Sequence, residues 1–236
     1  DYWRFYLSSI LPETKDSNFD WADFQQRINA ELIGNYGNLF YRTTHFIQTN
    51  YGGKVPAGQM GEVEKKLQWE LEKTMERVAD HVAAVKLKEA LREILAFASL
   101  VNKYFQDNAP WAATEERRAT TLYTAVNLLN PISLLLVPFI PETANRAVDC
   151  LGGKRQLTDR FLIHAGETVR AEMLFQKIED IEKAKKYRTR YMKKDITERV
   201  DVQSLELMND MLPFHEFEKV DLRVATILSV DDHPKA

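Results

Sequence analysis

For about 150 residues the apolar positions recur at three- and four-residue spacing, the period of helices that bury one face. Asp1 to Ile10 is a short, aromatic-rich amphipathic stretch, and the segment Asp16 to Trp21 offers a second start, with Ser17, Asn18 or Asp20 able to cap. The helix that follows continues past Asn38 to about Thr49 and is stopped by Tyr51-Gly52-Gly53. Beyond a loop containing Pro56, a helix is expected from about Gly61 to His81, with Val63, Leu67, Trp69, Leu71 and Met75 apolar. Another covers Val85 to Asp107, ended by Asn108-Ala109-Pro110. A fourth begins near Thr114 and runs through the 120s, with a proline-interrupted continuation toward Ile140; Pro141-Glu142 then opens a last helix that closes at Gly152-Gly153. About five antiparallel helices with short connections predict an all-α, antiparallel helical bundle over residues 1–153.

After Gly153 the pattern thins. Residues 154–213 read as an extended, charged helical linker, and Lys183 to Arg199 carries eight Lys/Arg against Asp195 and Glu198. Such a run is either a solvated face or a supporting phosphate contact, which would add salt-dependent affinity without sequence preference. From Leu212 to Val230 apolar and polar residues alternate through Val220, Leu222 and Val224, a strand pattern. One strand is not stable alone, so residues 214–236 are expected to be the truncated start of a second domain. The amphipathic opening at Asp1 likewise predicts a piece of a longer chain.

Composition narrows the classes. A 44% hydrophobic content supports a real core, and nine glycines among 236 residues disfavour a turn-rich all-β fold. Cys150 is the only cysteine, which excludes an internal disulfide or a multi-cysteine zinc site and fits a reducing, cytoplasmic setting. The longest apolar stretch, Leu128 to Ile140, is broken by Asn130, Pro131 and Pro138 and reads as a buried helix, not a membrane span. A net charge of −3 excludes a wholesale basic nucleic-acid binder, so any RNA contact must be local and geometric. Catalytic signals are missing: His45, His81, His164, His215 and His233 are scattered, no Gly-rich phosphate loop is present, and Cys150 has no base nearby.

Two constellations remain. At about 100° per residue, Asn35, Asn38, Arg42, His45 and Thr49 fall in one narrow stripe beside the apolar face formed by Leu32, Leu39, Thr43 and Phe46. Asn and Arg suit the edges of unpaired bases, and Arg can stack on a base plane; equally, such a stripe can be an ordinary exposed face. The second constellation is Asn102-x-Tyr104 followed by Pro110-Trp111, where a helix stopped by proline presents an indole at the bundle's end. That indole either stacks on a base or covers the core.

The residues also carry a resemblance. The opening DYWRFYLSSILPETKDSNFDWADF resembles the junction after the catalytic domain of class I methionyl-tRNA synthetases. NAELIGNYGNLFYR is similar to that family's anticodon-reading helix, with its Asn-Leu-x-x-Arg core at Asn38, Leu39 and Arg42, and NKYFQDNAPW to its second anticodon element, with Trp111. FEKVDLRVATILSVDDHP resembles the first strand of the C-terminal tRNA-binding OB-fold domain, with Ala225 where some members carry glycine. The resemblance implies that Asn38 and Arg42 hydrogen-bond anticodon bases and Trp111 stacks on one, while Asn35 and Asn102 either contact bases or make structural hydrogen bonds. It implies methionine tRNA as partner, homodimerisation through a complete C-terminal domain, and no cofactor or metal site in this part. ATP with magnesium and a structural zinc would serve the whole enzyme. The valyl, isoleucyl, leucyl and cysteinyl synthetases also have helical anticodon domains, and a helical protein-interaction scaffold is the alternative outside that class.

Overall fold

The computed structural model describes residues 1–13, 16–158 and 160–182. The strand expected near 214–236 and the basic run from Lys183 lie outside the described residues. Among them the order is α1 (Tyr2–Ser9), α2 (Trp21–Arg27), a π-wound segment (Ile28–Gly37), α3 (Asn38–Tyr51), α4 (Glu62–Ala83), α5 (Leu87–Asp107), α6 (Glu115–Leu136) and α7 (Pro141–Cys150). The all-α expectation holds.

Residues 21–51 form one continuous rod, because the backbone stays helical through both junctions of the π segment. Of the three caps considered, Asp20 is the one used: its side chain accepts from Asp23 N at 2.8 Å. Gly52, at φ +60°, ends the rod in the left-handed conformation that glycine adopts without steric cost. The wider π winding, bonded i to i+5, keeps Ile28, Leu32 and Tyr36 buried on one side at four-residue intervals. Tyr36 is completely buried, and its hydroxyl lies 2.7 Å from Ser133 Oγ on α6. α1 is held against the start of the rod by an aromatic cluster of Trp3, Tyr6, Phe19, Trp21 and Phe24, with Tyr6 Oη donating to Asp23 at 3.0 Å.

α6 is the axis of the bundle. It runs without interruption through Pro131, where a break was expected. Proline inside a helix removes one hydrogen bond and costs about 3 kcal/mol. Burying Leu128, Leu129, Ile132, Leu135 and Leu136 stabilises by about 1.5–3 kcal/mol each, so burial decides. By length and composition alone α6 could cross a membrane, but 89% of its most apolar window is buried inside the protein, as expected of a core helix.

The largest departure follows Gly153. Where a charged helical linker was expected, the described chain to residue 180 has no helix and runs as a strap along the bundle. Ile163, Val169, Leu174 and Phe175 are buried in the core. An extended chain lying on helices has no strand partner for its amides, and unpaired buried amides are costly. Side-chain amides share that role with backbone bonds to the turn after α3, where Gly166 N and Val169 N donate to Val55 O and Gly53 O at 2.8 Å each. Asn127 Nδ2 donates to Ile163 O at 2.9 Å while its Oδ1 accepts from Ile163 N at 2.9 Å, and Asn29 treats Ile178 in the same way at 2.8 and 2.9 Å. Lys54 and Thr168 add one antiparallel bridge. Gly37 belongs to the same contact, since a Cβ there would sit 2.8 Å from the Phe175 ring. Phe175→Ala is therefore expected to destabilise the bundle by about 3 kcal/mol, read as a lower urea midpoint, and Gly37→Val to lower it as well. Unchanged midpoints in both would mean that the strap is not part of the fold.

Candidate nucleic-acid interface

The stripe and the indole meet at one end of the bundle. Arg42 extends from α3 to the last turn of α5, where its guanidinium carbon lies 4.8 Å from the centroid of the Phe105 ring and 5.3 Å from that of Trp111. Both distances are within cation–π range. Its Nη2 also donates to Gln106 Oε1 at 3.1 Å. Burial lowers the Arg42 guanidinium from its ordinary value, yet arginine stays charged at neutral pH. Asn38, one turn earlier on α3, is exposed, and Trp111 is 45% exposed. Arg42 lies over the indole, and nearly half of Trp111 is open to solvent.

Asn35 and Asn102 lie lower between the same helices and bind each other. Asn102 Nδ2 donates to Asn35 O at 2.9 Å and to Asn35 Oδ1 at 2.8 Å. Asn35 Nδ2 donates to Leu95 O and to Ser99 Oγ, each at 2.9 Å. With these bonds the two amides tie the π segment to α5. His45 stacks on Tyr41 at 5.2 Å, and Thr49 donates to the carbonyl of His45, so the upper end of the stripe is engaged with its own helix.

The loop that carries Trp111 is short and tethered. Ala109 adopts φ +37°, a left-handed conformation that costs a residue other than glycine about 1–2 kcal/mol. Asn108 caps α5 by donating to Tyr104 O at 2.7 Å and accepts from Arg117 Nε at 2.7 Å. Arg118 donates to Pro110 O at 2.8 Å and to Ala113 O at 3.2 Å. Arg117 turns its other side toward Glu64, a carboxylate only 1% exposed, at 2.9 Å. Glu64 also accepts from Tyr104 Oη at 2.8 Å and from Gly61 N at 2.9 Å. Burial pushes the Glu64 carboxyl up, but hydrogen bonds from Tyr104 and backbone amides, with the charge of Arg117, outweigh it and hold the group below its ordinary value. Reading the sequence missed Phe105, Gln106, Glu64, Arg117 and Arg118. The one signal for them was Thr114-x-x-Arg117, where a capping box would carry Glu or Gln.

The profile of the family described as the anticodon binding domain of methionyl tRNA ligase matches residues 55–195. The chain belongs to the methionyl-tRNA ligase family. A profile for class I tRNA synthetases (M) matches residues 1–44. The methionine–tRNA ligase of Pyrococcus horikoshii is 31% identical over the whole of this chain, and that of Christiangramia forsetii 32%. The chain spans 39% and 36% of those relatives' lengths. The methionyl-tRNA synthetase of Mycobacterium tuberculosis in its free state superposes over 76% of this chain and 39% of its own, with a TM-score of 0.71 at 26% identity. The same synthetase has also been solved bound by methionyl-adenylate. In this member of the family, no three His, Cys, Asp or Glu come together as a metal set among the described residues. Cys150 is buried, and burial, then Glu172 at 3.2 Å, pushes its thiol up to about 11, which makes it a poor nucleophile.

Because the Glu64 carboxyl is held low in the folded protein, its contribution to stability is fully present above the unfolded pKa and is lost as pH falls through the lower folded value. Glu64→Gln is expected to lower stability at neutral pH by about 1–3 kcal/mol and to flatten the acid side of a melting-temperature profile. A profile as steep as that of the wild type would show that Glu64 does not carry the acid limb.

Proposed function

We propose that the end of the bundle receives the anticodon loop of methionine tRNA with its bases splayed out. Trp111 provides a stacking platform on the part of its ring that Arg42 leaves open, and Arg42 and Asn38 hydrogen-bond base edges. Unpaired bases are read in this way, by aromatic stacking and by contacts to their edges. The observation that carries the reading is the guanidinium of Arg42 held between Phe105 and Trp111, beside an exposed Asn38. A donor already fixed in place loses little entropy on binding. Asn35 and Asn102 act from below, setting the spacing of the two helices that carry the site.

The activity of the whole protein, attaching methionine to its tRNA with ATP, is part of the same proposal and follows from the relatives, which are methionine–tRNA ligases. No catalytic signature stands in residues 1–236. This region contributes recognition, and the bond-making chemistry is carried elsewhere.

A stacked base contributes about 1–3 kcal/mol, roughly a ten- to hundredfold effect on affinity. Trp111→Ala is therefore expected to weaken binding of an anticodon stem-loop bearing CAU by that factor, with no change in far-ultraviolet circular dichroism. A stem-loop with a scrambled anticodon should bind the wild type more weakly, and the affinity for CAU should fall as salt is raised. Equal affinity for the two stem-loops would sink base reading.

A further inference from the structure

Two arginines begin α6, at Arg117 and Arg118, directly behind Glu115 and Glu116. A helix N-terminus repels positive charge, and the third helical position ordinarily carries a carboxylate or amide that closes a capping box. Arg118 pairs with Glu115 in its own first turn at 3.0 Å, but both arginines also reach out of the helix. Arg117 reaches back to Glu64 on α4 and to Asn108 at the end of α5, and Arg118 reaches back to Pro110 O and Ala113 O on either side of Trp111.

We propose that Arg117 is a positioning residue for the Trp111 platform, anchored on the buried carboxylate of Glu64 and acting through Asn108. The proposal rests on the reading that Trp111 stacks on an anticodon base. Glu64 is nearly inaccessible, and its oxygens are engaged by Tyr104, Gly61 and Arg117, so it offers a fixed point. The planar guanidinium transmits that point through two bonds in a fixed fork, Nη1 to Glu64 at 2.9 Å and Nε to Asn108 at 2.7 Å. Asn108 is where α5 ends and the loop begins. Three residues later the indole emerges, past the unfavourable backbone of Ala109. A loop with that backbone relaxes when its tether is cut, and the indole then loses a fixed orientation before any base arrives. Arg117 itself touches no base in this scheme.

The test uses Arg117→Lys and, independently, Asn108→Ala. Lysine keeps a positive charge for Glu64 but lacks the fork to Asn108, whereas Asn108→Ala leaves the buried ion pair intact. Fluorotryptophan incorporated at the four tryptophans gives one fluorine resonance for Trp111, assigned by Trp111→Phe, and three others that report on the fold. In either variant the Trp111 resonance should narrow and shift toward that of a solvated indole while the other three stay in place. Affinity for the CAU stem-loop should fall about tenfold, the lower end of what one stacked base contributes. In a Trp111→Ala background the same variants should weaken binding no further, because coupled positions are not additive. An unchanged Trp111 resonance in both variants overturns the proposal, as does a full further loss in the Trp111→Ala background, which would make Arg117 a direct RNA contact. If Trp111→Ala alone binds like the wild type, the base platform itself fails, an outcome distinct from a normal platform that does not depend on Arg117.

Discussion

A carboxylate taken out of water must be met on both oxygens by donors, or it destabilises the structure that buries it. Glu64 imposes that condition at the end of the bundle where the aromatic and basic residues gather. Its partners come from three places: the turn before α4 through Gly61, the side of α5 through Tyr104, and the first turn of α6 through Arg117. The ends of three helices are thereby fixed relative to one another around one charge. A buried ion pair is weak evidence for net stability but strong evidence for a specified arrangement when removing either partner would leave a charge uncompensated. The loop bearing Trp111 spans two of those three helices, and its geometry follows from theirs.

A second constraint acts along the rod from Trp21 to Tyr51. Its middle is π-wound, so that Tyr36 can bond Ser133 in the core while Asn35 binds α5. Such winding is frequent at functional sites. Here it lies directly below the turn that carries Asn38 and Arg42. The Asn35–Asn102 pair and the Arg42–Gln106 bond are successive rungs between the same two helices, and the upper rung ends at the exposed aromatic surface. Rigid support beneath and an accessible tip above are what recognition of a splayed loop requires, because ordering costs are then met before the ligand arrives.

The strap of residues 160–180 shows how a segment poor in apolar residues becomes part of a core. Four buried side chains and two asparagines, each pairing both ways with a backbone amide, hold it in place. Asn29 and Asn127 read in the sequence as unremarkable polar positions on helices. Their partners lie 149 and 36 residues away, a relation that no local pattern encodes. The composition marks a change of character after Gly153, and the described residues from 154 to 180 form no helix, because helix needs only local propensity whereas the strap needs a surface to lie on.

The sequence by itself determined the helices, the stop at Gly52, the stop before Trp111, and the stripe of Asn38 and Arg42, since each depends on spacing and on residue types within one turn, whereas the structure chose Asp20 among three possible caps. It also carried the family, through short motifs in a fixed order. Only the tertiary structure decided that α6 passes straight through Pro131, that Asn35 and Asn102 bind each other, and that Arg42 lies between Phe105 and Trp111. Those outcomes rest on burial and on contacts between residues more than sixty positions apart, where local preference is outweighed by what the neighbouring helices place opposite.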